Sequence, residues 1–181
     1  MIRGDYMKLM ELNKYQTPQP TNLSREKIFE VARKIANTTG FLPGNDIRNY
    51  IKKVFNAEIV DQKGNKYKNI DTSKDALFVN STGSLLIFLK DGVNDLRKNF
   101  TIAHELGHYI LHSQFGIIPI RAYRYGSHRL EWEANWFAAE FLMPQEEITK
   151  LKNEGLTSVE MSDHFQVSVT AMNIRIESLG L

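Results

Sequence analysis

Phe100-Thr-Ile-Ala-His-Glu-Leu-Gly-His-Tyr-Ile-Leu-His112 is the stretch on which the reading of this chain turns. From Asn94 to His112 apolar side chains recur at helical spacing, with Leu96, Phe100, Ala103, Leu106, Ile110 and Leu111 as the apolar set. Inside that helix His104-Glu105-Leu106-Gly107-His108 forms a His-Glu-x-x-His motif. Residues four apart stand one above the other on a helix face, so both imidazoles can reach a single ion. Glu105, one position on, points beside that ion, where it can take a proton from a water the ion holds. The chain contains no cysteine. That excludes a disulfide scaffold, thiolate zinc sites, iron–sulfur clusters and a Cys nucleophile, and leaves His and carboxylate to hold any metal.

Two histidines leave a catalytic zinc site one protein ligand short, because such sites use three and keep a fourth position open. His112, His128, Glu131 and Glu133 are the candidates for the third. His112 lies two turns beyond His104 and rotates by about 40° with each four-residue step, too far along the axis to share the ion. It is expected to pack or to support a ligand from behind. The longer His-Glu-x-x-His-x-x-Gly-x-x-His pattern is not continued, since Leu111 and Gln114 stand where its glycine and last histidine belong. Glu131 is preferred. A helix is read from about His128 to Met143, stopped by Pro144, which can open the next helix at its first position. On it Asn135, Ala138 and Leu142 follow Glu131 at helical spacing, while Ala134, Ala138 and Ala139 allow close approach to Gly107. Glu133 lies about 200° round from Glu131, so one of the two must turn away. Asn135 is expected to hydrogen-bond a ligand histidine.

Outside these two helices the chain reads as follows. Residues 1–20 form an irregular lead-in. A helix starts near Asn22 or Ser24, with Ile28, Val31, Ala32 and Ile35 on one side, and stops at Thr38-Thr39-Gly40. Asp46 caps a second helix. Glu58–Val60, Ala76–Asn80 and Leu85–Leu89 are short apolar or β-branched runs separated by Lys63-Gly64-Asn65 and Asn80-Ser81-Thr82-Gly83. They predict a small sheet of about three strands closing on a hairpin. An exposed edge at Leu85–Leu89 would let an extended substrate pair by strand addition. Residues 114–127 read as a loop, and its Arg121, Tyr123, Arg124 and Tyr125, with His128, are the groups available to stabilise an oxyanion. The tail from Leu156 reads as two short helices around Gln166-Val167-Ser168, with Met172, Ile176 and Leu179 inward. The fold class is α+β. Residues 1–75 form an N-terminal arm and helices, residues 76–181 the core and tail, expected as one compact unit.

The 181 residues carry 23 Lys and Arg against 21 Asp and Glu. Residues 1–75 hold 14 basic and 9 acidic side chains, and residues 76–181 hold 9 and 12 with all five histidines, so the chemistry is expected in the acidic half. The longest apolar run, Leu85–Leu89, is far short of the ~20 residues a membrane helix needs, and no leader pattern opens the chain, which points to the cytoplasm. The tail has the cadence of a helix-turn-helix, which raises DNA binding or protein docking as an alternative function. Its second helix offers only Arg175, however, and phosphate contacts need several basic groups. Direct DNA binding is therefore not expected.

Thr101-Ile-Ala-His-Glu-Leu-Gly-His-Tyr-Ile-Leu-His112, followed by Leu130-Glu-Trp-Glu-Ala-Asn-Trp-Phe-Ala-Ala-Glu-Phe-Leu-Met-Pro144, resembles the ImmA/IrrE-type zinc metallopeptidases. The resemblance covers roughly residues 76–181, with both blocks matching in order and distance. It implies a zincin-like active-site helix, one Zn²⁺ per chain held by His104, His108 and Glu131, and Glu105 as the base. It also implies an intracellular enzyme linked to mobile elements, whose protein substrate is a helix-turn-helix repressor encoded nearby. A chain that keeps the fold without turnover is a further alternative, against which the complete set of His104, Glu105, His108 and Glu131 argues.

Overall fold

A computed structural model of the chain describes residues 15–61, 75–123 and 128–181, the Tyr123 side chain excepted. The Lys63-Gly64-Asn65 turn, Arg124 and Tyr125 lie outside these residues. The described residues build an α+β fold of seven α-helices and one four-stranded sheet. None of these helices is long and apolar enough to cross a membrane.

Helix α1, Arg25–Thr39, starts where the Ser24 hydroxyl accepts from the Lys27 N–H and ends at Gly40, whose φ of 73° a side chain would resist. Helix α2, Ile47–Val54, is capped by Asp46 and buries Ile47 and Ile51. Strands β1, Glu58–Asp61, β2, Ala76–Val79, and β3, Leu85–Leu89, follow. The hairpin between β2 and β3 forms at Asn80, whose side chain accepts from the Thr82 and Ser84 N–H groups. Strand β4, Arg121–Tyr123, extends the sheet antiparallel to β2, so the order is β1-β3-β2-β4 with β1 parallel to β3.

Two expectations about the sheet change here. The described residues form four strands rather than about three, the fourth inside the region that reads as a loop. Leu85–Leu89 is no edge: β3 is paired on both sides and all five of its residues are buried. Their unbroken apolar character has the same cause, since both faces are covered. Leu77, Val79, Leu85, Ile87 and Leu89 face the main core, while Ala76, Phe78, Leu86 and Phe88 form a second cluster with Tyr15 and Val60. The hairpin touches the segment before β4 backbone to backbone. A Cβ on Gly116 would stand 2.8 Å from the Gly83 carbonyl oxygen, and both residues have positive φ.

Helix α3, Asp95–Gly107, is capped by Asn94 and passes directly into a π turn, His108–His112, where the Ser113 N–H donates to the His108 carbonyl five residues back. The expected single α-helix is thus widened over its last five residues. Helix α4, His128–Leu142, packs against both α3 and α1. Pro144 stands at the cap of α5, Gln145–Asn153, rather than at its first position as expected. Helices α6, Ser158–His164, and α7, Val169–Ser178, close the chain, α6 opening with a reciprocal Thr157–Glu160 capping box. One continuous core runs from Ile28 through Leu77, Ile102 and Phe137 to Met172, with Phe141 stacked between Phe41 and Phe137 at 4.4 and 5.6 Å.

Candidate metal centre

The buried end of α3 and the first residue of the π turn bring the His104 and His108 rings together, with Nε2 atoms 3.1 Å apart. Helix α4 runs alongside closely enough to add a carboxylate because Gly107 carries no side chain. A Cβ there would meet the Ala134 Cα and carbonyl oxygen at 3.2 Å. One turn before Ala134, Glu131 reaches across, its Oε2 3.3 Å from His104 Nε2 and its Oε1 3.6 Å from His108 Nε2. The three residues offer donor atoms that all lie within 4.8 Å of one another and could hold a metal ion. Zn–N bonds of about 2.0–2.1 Å in a tetrahedron put neighbouring donor atoms about 3.3 Å apart, so the spacing fits.

The hydrogen bonds behind the rings sharpen that fit. His104 Nδ1 lies 2.9 Å from the Asn135 side-chain oxygen, which can only accept, so Nδ1 carries the proton and Nε2 a lone pair. His108 Nδ1 lies 2.8 Å from His112 Nδ1, and His112 Nε2 lies 3.1 Å from Glu133 Oε2. Burial holds the His112 imidazole below its ordinary range, against the opposing pull of Glu133. Burial by itself would raise Glu133, but the Thr21 N–H, His112, the Thr21 hydroxyl and Arg129 outweigh it and keep the carboxyl below its usual range. An ionised Glu133 accepts a hydrogen bond from His112 Nε2–H, which leaves His112 Nδ1 to accept from His108. Two imidazole lone pairs and a carboxylate therefore converge, an arrangement suited to holding a cation. Glu131 Oε1 is buried and accepts no hydrogen bond, a polar atom that a metal would satisfy.

Of the residues singled out by sequence, His104, His108, Glu131, His112 and Asn135 come together here. Glu105 follows His104 on α3 and is 3% exposed. His128 is exposed, with its ring 6.4 Å from that of Trp132. Arg121 lies over Phe78 at 4.9 Å, on the sheet face that carries the second cluster. Tyr123 contributes backbone to β4. Glu133, a candidate third ligand set behind Glu131, has a role that its sequence context does not announce. It does turn away from Glu131, as one of the two had to, but onto His112 and a set of donors from the far end of the chain. Its i,i+4 spacing from Arg129 was the one available hint.

The triad has one open flank. Glu131 keeps 18% of its side chain exposed while both histidine side chains are at 2%. Next to Asn135 a cleft of about 670 Å³ runs between α1, α3, α4 and α7, lined among others by Phe29, Phe100, Trp132, Trp136 and Ile174. The tail takes part in that wall through Ala171, Ile174 and Arg175. Arg175, the single basic residue on α7, is buried against Glu140 and donates to the Met143 carbonyl. The helix-turn-helix reading thereby loses the one cation its second helix offered to phosphate.

A family model described as the IrrE N-terminal-like domain, Peptidase_M78, matches residues 62–177, well over half of the chain. The comparison of the chain with curated proteins finds no match.

Proposed function

Because the chain belongs to the IrrE N-terminal-like peptidase family, Peptidase_M78, we propose that it is a zinc-dependent endopeptidase of the HExxH…E type. The convergence of His104 Nε2, His108 Nε2 and Glu131 on one point carries this reading. These three would hold one Zn²⁺ per chain, a metal suited to two neutral imidazoles and one carboxylate with an open fourth position. When bound, the metal supplies a Lewis acid that polarises the scissile carbonyl and lowers the pKa of a water beside it. Asn135 and His112 keep the two ring protons on Nδ1, which fixes both imidazoles for the ion. Glu105 takes the proton from the attacking water and passes it to the leaving amine nitrogen. The exposed flank at Glu131 and the apolar cleft beside Asn135 leave room for a peptide chain.

The substrate we infer is a helix-turn-helix transcriptional repressor encoded nearby, cut in the cytoplasm to relieve repression. This rests on the resemblance of the two motif blocks to ImmA/IrrE-type enzymes. Direct DNA binding has no place in the reading, in keeping with the internal position of Arg175.

Glu105→Gln tests the proposal. Both versions are expected to bind about one zinc per chain, since Glu105 is not a ligand. Co-expression with the product of the neighbouring gene, followed by mass spectrometry, is expected to reveal a new terminus with the wild type and none with the variant. A wild type without metal, or a variant that still cuts, would sink it.

A further inference from the structure

Glu133 is a carboxylate with no exposure, yet every hydrogen-bonding direction of its two oxygens is used. Oε2 accepts from the Thr21 N–H at 2.7 Å, the Thr21 hydroxyl at 2.8 Å and His112 Nε2 at 3.1 Å. Oε1 accepts from the Asn22 N–H at 2.8 Å and Arg129 Nε at 2.9 Å. Two successive backbone N–H groups closing on one anion need an unusual backbone, and Asn22 supplies it with a φ of 58°. Asn tolerates that left-handed conformation better than most residues. Arg129 fastens the same segment from the other side by donating to the Leu23 carbonyl. A stretch 112 positions away in sequence is thus tied to the carboxylate that faces His112.

We propose that Glu133 is a positioning residue of the metal centre, gripped by the Thr21–Asn22 backbone and acting on the ligand ring of His108 through His112. Docking of the segment ahead of α1 and loading of the metal are then coupled. The inference rests on the reading of His104, His108 and Glu131 as metal ligands. Its logic is directional. A carboxylate only accepts, so His112 must present Nε2–H to it and a lone pair at Nδ1 to His108. His108 must in turn donate from Nδ1, which leaves Nε2 for the ion. Releasing Glu133 from Thr21 and Asn22 frees it to move, and the proton order along the chain is no longer imposed. Coupling between two binding events is reciprocal, so the metal also tightens the grip on Thr21 and Asn22.

The test is zinc affinity by chelator competition in the full chain. Glu133→Gln is expected to weaken binding about 10- to 100-fold, the range seen when a partner of a metal-bound histidine is lost. Thr21→Val, which removes the hydroxyl's hydrogen bond to Glu133 and the one it accepts from the Leu23 N–H, is expected to weaken it about two- to fivefold. Gln19→Ala, an exposed change two residues earlier, leaves it unaltered. Cobalt(II) added to the same proteins reports the ligand field, with visible bands shifted in Glu133→Gln and identical to wild type in Gln19→Ala. In wild type alone, zinc is expected to slow amide exchange at Thr21 and Asn22 by about fivefold or more. That arm holds even if Glu133→Gln does not fold. A wild type that binds no zinc overturns the metal reading, and this inference with it. Tight wild-type binding with unchanged affinity in a folded Glu133→Gln, or with unchanged exchange at Thr21 and Asn22, overturns this inference alone.

Discussion

Asn135 and His112 do the same job for the two ring nitrogens that face away from the triad, but with different chemistry. Asn135 offers an amide oxygen that accepts and has no proton of its own to exchange at that atom. Asn135→Ala is therefore expected to lower zinc affinity about 10- to 100-fold without unfolding the chain, and Asn135→Asp to recover most of it, both read by chelator competition. Equal affinity in the alanine variant would remove Asn135 from the centre. At this scale much was legible from sequence. The four-residue spacing alone brings His104 and His108 together, and the small residues of α4 single out Glu131 as the carboxylate that reaches them. The role of Glu133 behind His112 was not legible, because its partners Thr21 and Asn22 lie more than a hundred positions away and carry no motif.

Helices α3 and α4 meet where Gly107 faces Ala134, and the reach of Glu131 depends on that approach. Gly107→Val would drive its side chain into the Ala134 backbone. A loss of about 1–3 kcal/mol is expected in urea unfolding, with weaker zinc binding because Glu131 retreats along with α4. Unchanged stability would mean that the helices have slack between them. The π turn at His108–His112 is the element no sequence period announced. Helical spacing predicts one continuous α-helix, and the widened turn keeps Tyr109, Ile110 and Leu111 buried, so the apolar pattern carries no trace of it. It leaves the His108 and His112 rings 4.9 Å apart. Strand β4 escaped for a different reason: three residues are too few for a period of two to register, and its pairing with β2 is set by the fold rather than by local sequence.

At the scale of the molecule, Asp61 ties three elements together. Its carboxylate accepts two hydrogen bonds from Arg48 on α2 and one from Lys98 on α3, the shortest at 2.6 Å. The Arg48 hydrogen bond leads in bringing its pKa from 3.8 down to about 2, against the cost of burial and with help from Lys98. A folded-state pKa below the unfolded one contributes stability that is complete above about pH 4 and is lost as pH falls through about 2. The group is partly open to solvent, so the contribution is about 1 kcal/mol. Asp61→Asn is expected to cost that much at pH 7 and almost nothing at pH 2, measured by urea unfolding at both. The same long-range organisation has a consequence for how the chain is made. Helix α1 rests on α4, and the ion pair of Arg33 with Glu140 spans 107 positions. At about 5–20 residues per second, a ribosome keeps the apolar face of α1 waiting about 5–20 s for its partner to be synthesised. Ile28 and Phe29, buried in the folded chain, lack that partner helix throughout the interval. The histidine pair, too, leaves the ribosome before Glu131 and Glu133, so no nascent chain shorter than α4 holds an assembled centre.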